Sequence, residues 1–143
     1  MGKKFQLTGA SVILYKEGQI LLQQRKDNLC WGYHGGAIEL GEVVEEAAKR
    51  ELYEETGLEA HDLDLYGVFS GPDLYNKYPD GNEAYIIDIV FICKTYGGEM
   101  RAQASEVVDL KWFDIGCLPE AISPPVKPVL DQFVRECLEG VHD

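Results

Sequence analysis

Six glutamates fall within residues 42–55: Glu42, Glu45, Glu46, Glu51, Glu54 and Glu55. Carboxylates this close together either decorate a solvated helix face or gather a hard cation. Residues 43–55 are rich in helix formers. At about 100° per residue the acids divide into two groups. Glu45, Glu46, Lys49 and Tyr53 share one side, as a solvated face should. Glu51 and Glu55 share the other with Val44, Ala47, Ala48 and Leu52, the stripe that must pack against the rest of the molecule. Glu54 flanks them, three residues from Glu51. Such neighbours have Cβ atoms roughly 5–6 Å apart, and like charges about 5 Å apart repel by roughly 3 kcal/mol at an effective dielectric near 20. Retained protons would relieve that repulsion, and so would a cation held between the acids. Oxygen ligands of this kind suit Mg²⁺ or Mn²⁺, and Mg²⁺ shares phosphate oxygens readily. Arg50, four residues before Glu54, is spaced to pair with it and fix its rotamer, or to form an ordinary surface ion pair.

A framework of strands has to hold that helix. Residues 8–15 and 20–25 read as two strands about the turn Lys16-Glu17-Gly18. A glycine-rich stretch, 32–41, leads into the helix, and Gly57 stands where its C-terminal stop is expected. Residues 61–70 read as a further strand, and 71–83, with Pro72, Pro79 and Gly81, as a polar loop. The β-branched and aromatic run 84–95 predicts a strand buried on both faces. Asp88 interrupts it and is expected to find a hydrogen-bond donor in the core rather than to do chemistry. Gly97-Gly98 mark a turn, and residues 107–113 form a last short strand. After Pro124-Pro125, the stripe Val126, Val129, Leu130, Phe133, Val134, Cys137 and Leu138 predicts a closing amphipathic helix that Gly140 stops. The sum is an α/β (α+β) arrangement, a mixed sheet flanked by helices. With 143 residues and no repeat or linker, residues 1–143 are expected to form one domain.

Composition narrows the function. The formal net charge is −12, from 25 acidic against 13 basic residues. Such a surface repels a phosphate backbone and argues against a nucleic acid polymer as partner. A small anionic substrate remains compatible if a divalent cation mediates the contact; the charge equally serves solubility. No apolar run approaches the roughly 18–20 residues of a membrane span, and no apolar region follows Lys3-Lys4 as a signal peptide would require. Cys30, Cys93, Cys117 and Cys137 form no CxxC pair, and the three histidines are scattered. That spacing builds no zinc cluster and suits reduced thiols in a cytoplasmic protein.

Residues 36–58, GAIELGEVVEEAAKRELYEETGL, resemble the signature of the Nudix hydrolases: Gly, five residues, Glu, seven residues, Arg-Glu-apolar-any-Glu-Glu-any-Gly-apolar. Gly36, Glu42, Arg50, Glu51, Leu52, Glu54, Glu55, Gly57 and Leu58 fill the specified positions, with both gaps of the required length. The Trp112-Phe113 pair in the last strand also resembles the family. The resemblance implies an αβα sandwich in which this box is a strand–loop–helix. It implies that Glu51, Glu54 and Glu55, with the Gly35 carbonyl, bind Mg²⁺, with Mn²⁺ a possible substitute. It further implies that Glu42 braces the loop and Arg50 orients the glutamates. Glu106 stands where many members place another acidic ligand or catalytic base, and it reads equally as an exposed loop acid. Glu51, Glu54 and Glu106 are therefore candidate bases. Arg25, closing its strand, suits a phosphate contact or a plain surface role. Two residues depart from the common pattern: His34, where many members have proline, and Val43, where many have Ser or Thr. The second removes a side-chain N-cap worth about 1 kcal/mol.

The implied activity is metal-dependent hydrolysis of the diphosphate bond in a nucleoside diphosphate linked to another group. In the family a proline some 15 residues past the box is linked with ADP-ribose cleavage, and a tyrosine slightly further on with dinucleoside polyphosphates. Pro72 and Tyr75 offer both markers, and a nucleotide-sugar or ADP-ribose type of substrate is favoured. Cleavage of nucleoside triphosphates or dinucleoside polyphosphates is the alternative, and a non-catalytic nucleotide sensor is a more distant one. Homodimers are common in the family.

Overall fold

A computed structural model describes residues 2–142. Glu17 and Gly18 take positive φ angles of 53° and 77° and turn the chain between β1 (Lys4–Lys16) and β2 (Gln19–Arg25). Two short strands follow, β3 (Trp31–Gly32) and β4 (His34–Ala37), then helix α1 (Val44–Thr56). Beyond it come β5 (Leu58–Ala60), β6 (Asp64–Phe69), β7 (Tyr75–Lys77), β8 (Glu83–Cys93), β9 (Tyr96–Gly98) and β10 (Val107–Asp114). Helix α2 (Lys127–Leu138) closes the fold.

The main sheet runs β10-β2-β1-β8-β6, with β3 added to β2, β4 to β1 and β7 to β8. Among the described strands β1 and β8 pair in parallel, from Lys4↔Glu83 to Leu14↔Cys93, and the other strand pairs are antiparallel, so the sheet is mixed. Side chains alternate across a strand, and here both faces are covered. Val12, Leu14, Leu21, Phe91 and Cys93 pack with Ala47, Ala48 and Leu52 of α1. Ile13, Ile20, Leu22, Val90 and Ile92 pack with Val129, Leu130 and Phe133 of α2. Two helix layers on one sheet explain why β1 and β8 read as continuous apolar runs. Each such side chain contributes roughly 1.5–3 kcal/mol on burial. The result is the mixed sheet flanked by helices that the residue pattern predicts, and the αβα sandwich that the family resemblance implies.

Local differences have physical reasons. β1 begins at Lys4, four residues before its apolar alternation, because residues 4–7 complete the ladder to β8. The glycine-rich stretch is partly strand, since β4 gains its hydrogen bonds from β1 rather than from its own propensity. The loop 71–83 likewise holds β7, paired with β8, and Leu58–Ala60 pairs with Tyr96–Gly98 in a small separate sheet. At the far end of α2, Leu138 is exposed instead of packed, and Glu139 forms the C-cap ahead of Gly140. Asp88 does find core donors, Ser11 Oγ and Tyr33 Oη, each at 2.7 Å. Cys30, Cys93 and Cys117 are free thiols. Among the described residues no helix is long and apolar enough to cross a membrane.

Candidate active site

Helix α1 is fixed by its buried face more than by its caps. Its N-cap, Val43, is extended and supplies no side-chain bond, as the sequence implied, while Gly57 closes the other end at φ 77° with its N–H donating to Tyr53 O at 2.8 Å. Ala47, Ala48 and Leu52 are wholly buried, and the acids on their stripe go inward with them. Glu55 is 6% exposed and accepts from Gln23 Nε2 and from the Gly35 N–H, both at 3.0 Å. The Glu51 side chain is 13% exposed, and its carboxylate lies against Gly36, where a Cβ would collide with it. Glu54 stands at the rim, nearly half exposed.

Arg50 ties this edge together. Its Nε and Nη2 donate to the two Glu42 oxygens at 2.8 and 3.0 Å, and Nη2 also reaches Ala37 O at 3.1 Å. Its Nη1 donates to Glu51 at 3.2 Å and to Glu54 at 3.1 Å. Glu42 also accepts from the Glu39 N–H at 3.0 Å and so ties the loop before the helix to Arg50. The fork with Glu42 raises the Arg50 pKa and lowers that of Glu42. Burial raises Glu51, with the Arg50 charge opposing and Glu54 and Glu106 pushing the same way. Burial, then the charge of Glu51, pushes Glu55 up to about 8.

The remaining candidates arrive by way of β2 and β10. Glu106 precedes β10 in an exposed turn held by the Lys26 N–H on its carbonyl at 2.8 Å, and its charge is felt by Glu51 and Arg25. Arg25 gives its Nε and Nη2 to Asp27 at 3.0 and 3.1 Å, and that bond is the main cause of its raised pKa. His34 is fully buried, with Nε2 on Leu21 O at 3.0 Å and Nδ1 unpartnered. Burial lowers its pKa to about 4, so it is a neutral core residue and not a polar group offered to a ligand. Tyr75 donates its hydroxyl to Glu83 and meets the Tyr85 ring at a tilt of 51°, while Asn76 and Tyr78 beside it line a cavity.

That cavity, of about 210 Å³, opens on the α2 side of the sheet. Gln23, Gly35 and Gly36 belong to its wall and also touch Glu55 or Glu51, so β4 stands between cavity and acids. The reading of the chain missed Gln23, Ser11 and Tyr33. The available signal was a polar residue inside an apolar strand run, as Gln23 is in QILLQQR. Among the described residues no three His, Cys, Asp or Glu groups stand at mutual ligating geometry. Glu51 and Glu54 share Arg50, and Glu55 is held by Gln23 and Gly35.

The family model of the NUDIX domain matches residues 6–136. The chain belongs to the Nudix hydrolase family. An ADP-ribose pyrophosphatase of Methanocaldococcus jannaschii is 41% identical over 111 residues, which are 76% of this chain and 62% of that protein. A Bacillus subtilis protein provisionally named 8-oxo-dGTP diphosphatase is 37% identical over 126 residues, 87% of this chain and 78% of its own length. The crystal structure of a MutT NUDIX hydrolase from Burkholderia pseudomallei superposes with a TM-score of 0.77 at 27% identity, covering 89% of this chain and 97% of that one. Nudix enzymes generally use divalent metals and act on small nucleotide substrates.

Proposed function

We propose that this Nudix chain is a divalent-metal-dependent hydrolase that cleaves the diphosphate bond of a nucleoside diphosphate linked to a second group, with ADP-ribose-type substrates foremost. The observation that carries the reading is the placement of Glu51, Glu54 and Glu55 along one edge of α1, Glu55 buried and the Glu51 side chain 13% exposed, across β4 from the 210 Å³ cavity. Burial raises Glu51 and Glu55; the charge of Glu54 adds to the rise at Glu51, and that of Glu51 to the rise at Glu55. A hard cation would offset both costs, and an all-oxygen donor set suits Mg²⁺ or Mn²⁺. Glu51, Glu54, Glu55 and the Gly35 carbonyl are the groups that would hold it. Such an ion, when bound, neutralises phosphate charge and acidifies a water.

The chain's own residues divide the rest of the work. Arg50 positions Glu51 and Glu54, and Glu42 positions Arg50. Gln23 and the Gly35 N–H orient Glu55. Glu51, Glu54 or Glu106 takes the proton of the attacking water as general base. Arg25, on the cavity wall, contacts substrate phosphate by its guanidinium. The name of the M. jannaschii relative supports ADP-ribose, and that of the B. subtilis relative favours a nucleoside triphosphate.

Product identity tests the reading. ADP-ribose, nucleotide sugars, dinucleoside polyphosphates and nucleoside triphosphates would be presented with Mg²⁺ or Mn²⁺. AMP and ribose 5-phosphate from ADP-ribose are the expected products. Pyrophosphate released from triphosphates would move the assignment to the second reading. Glu54→Gln and Glu55→Gln should each abolish turnover with the fold intact; full activity in either would remove the acidic edge from the mechanism.

A further inference from the structure

Between β9 and β10, residues 99–106 take neither helix nor strand and, apart from the half-buried Gln103, expose their side chains. Burial therefore does not fix them, yet they end at Glu106, whose charge is felt by Glu51. What holds them is the C-terminal end of α1, where the last carbonyls of a helix lack internal partners. The Arg101 N–H donates to Thr56 O at 2.7 Å and the Gln103 N–H to Glu55 O at 3.3 Å. Gln103 O in turn accepts from the N–H groups of Glu106 at 3.1 Å and Val107 at 2.8 Å. Backbone bonds thus run from the helix end to Glu106. A Cβ on Gly57 would lie 2.6 Å from Glu99 O and 2.9 Å from Arg101 Cγ, so the Arg101 stem rests directly on the helix stop. Its guanidinium stands 5.5 Å from the centre of the Tyr53 ring and, among the described residues, forms no ion pair. Tyr53 is exposed and at about 100° per residue lies across the helix from the buried Glu55. The segment therefore crosses the end of α1, anchored on the face remote from the acidic edge and delivering Glu106 beside it.

We propose that residues 99–106 form a strap over the end of α1 and that Arg101, seated on Tyr53, is a positioning residue for Glu106. The assignment rests on the hydrolase reading only for the part that Glu106 plays in turnover. A cation over an aromatic face adds hold where little surface is buried, and the arginine stem adds contact along Gly57. Loss of that seat loosens the backbone bonds to Thr56 and Glu55 and lets Glu106 drift from Glu51. Glu51, Glu54 and Glu55 keep their own partners, Arg50, Gln23 and Gly35, when the strap loosens.

The test has two readouts on the full chain. Amide hydrogen exchange, followed by NMR without added metal, reads the strap directly. Arg101→Ala and Tyr53→Leu should each speed exchange at Gln103 and Glu106 about two- to fivefold, the scale of an exposed cation–π contact, with amides in the middle of α1 unchanged. Tyr53→Phe keeps the ring and should match the wild type, and Arg101→Lys keeps a cation and should recover part of the protection. Turnover reads the positioning. Arg101→Ala should lower kcat at least about twofold at unchanged KM. In a Glu106→Gln background the same substitution should cost nothing further, because residues that act through one another are not additive. Wild-type exchange in Arg101→Ala overturns the proposal, as does acceleration spread evenly through α1, which a general loss of stability would give. A kcat loss undiminished in the Glu106→Gln background also overturns it. Full activity in Glu106→Gln would take Glu106 out of the hydrolase reading and the positioning role with it. The exchange rates, which need neither metal nor turnover, would still decide whether Arg101 holds the strap.

Discussion

The adjacent glycines of β4 point to opposite faces of the sheet, and alanine at each should fail in a different way. Neither has a positive φ, so alanine fits the backbone at both positions. At Gly36 the nearest atoms to an added Cβ all belong to the Glu51 carboxyl group, the far end of a flexible side chain. Glu51 can swing aside, so Gly36→Ala should change unfolding free energy by less than about 1 kcal/mol. The displaced carboxylate would leave the acidic edge, and misplacing a reacting group by about 1 Å costs on the order of 10²-fold in rate. At Gly35 the added Cβ meets Ser11 Oγ, then Ala10 O at 2.7 Å and Ser11 Cα at 2.8 Å. Those are backbone atoms of β1, pinned between β2, β4 and β8, and they cannot swing. Gly35→Ala should therefore cost about 3 kcal/mol, the upper end of overpacking. Urea denaturation and kcat/KM on both variants give the answer. Full activity in Gly36→Ala, or wild-type stability in Gly35→Ala, would refute the placement of Glu51 against β4.

Other perturbations separate the layers of the argument. Arg50→Lys keeps the charge but loses the planar fork that spans Glu42, Glu51 and Glu54; kcat should fall about 10- to 100-fold with an unchanged circular dichroism spectrum, and wild-type kcat would deny Arg50 its positioning role. In chelator-treated protein, Glu55 holds a proton up to about pH 8 when folded, while the unfolded chain releases it near the ordinary 4.5. The folded state thus binds more protons across that window, so stability should decline as pH rises through it, by roughly 3–5 kcal/mol in total. Glu55→Gln should flatten the decline, and urea midpoints for the two proteins that track each other from pH 5 to 9 would contradict it. Phe133→Ala, in the α2 layer, should cost about 3–5 kcal/mol and leave the metal dependence of kcat unchanged, a combination that titration of Mg²⁺ against activity can check.

The acidic edge was legible in the chain because helical spacing is rigid. Once Val44, Ala47, Ala48 and Leu52 must face the sheet, Glu51 and Glu55 have nowhere else to go, and the structure turns both inward, Glu55 buried and Glu51 partly so. Its partners were less legible because they come from distant strands. Gln23 meets Glu55 only after β2 is laid beside β1, and Tyr33 meets Asp88 across 55 residues of chain. β4 and β7 could not be anticipated from composition, since glycine-rich and polar segments become strands here by borrowing the ladders of β1 and β8. Asp88 shows where such reading stops. A carboxylate inside AYIIDIVFIC must find donors, but one strand cannot reveal that it also faces open space.

The fold tolerates its own acids by dividing their charge between a guanidinium and a proton. Spacing alone left two ways to relieve the repulsion, protons or a cation, and the structure distributes the burden unevenly. Arg50 offsets part of the charge of the outer acids, with Glu39 at 3.9 Å beyond the three it bonds. Glu55, which makes no bond to Arg50, is the acid whose affinity for a proton rises to about 8. One guanidinium and one proton thus let the chain fold without an ion. Neither remedy fills the acceptor capacity of Glu51 and Glu54, which share the Nη1 group of Arg50. On the proposed reading a divalent cation would take that capacity and displace the proton on Glu55, so that loading the site and titrating its buried acid would be one event.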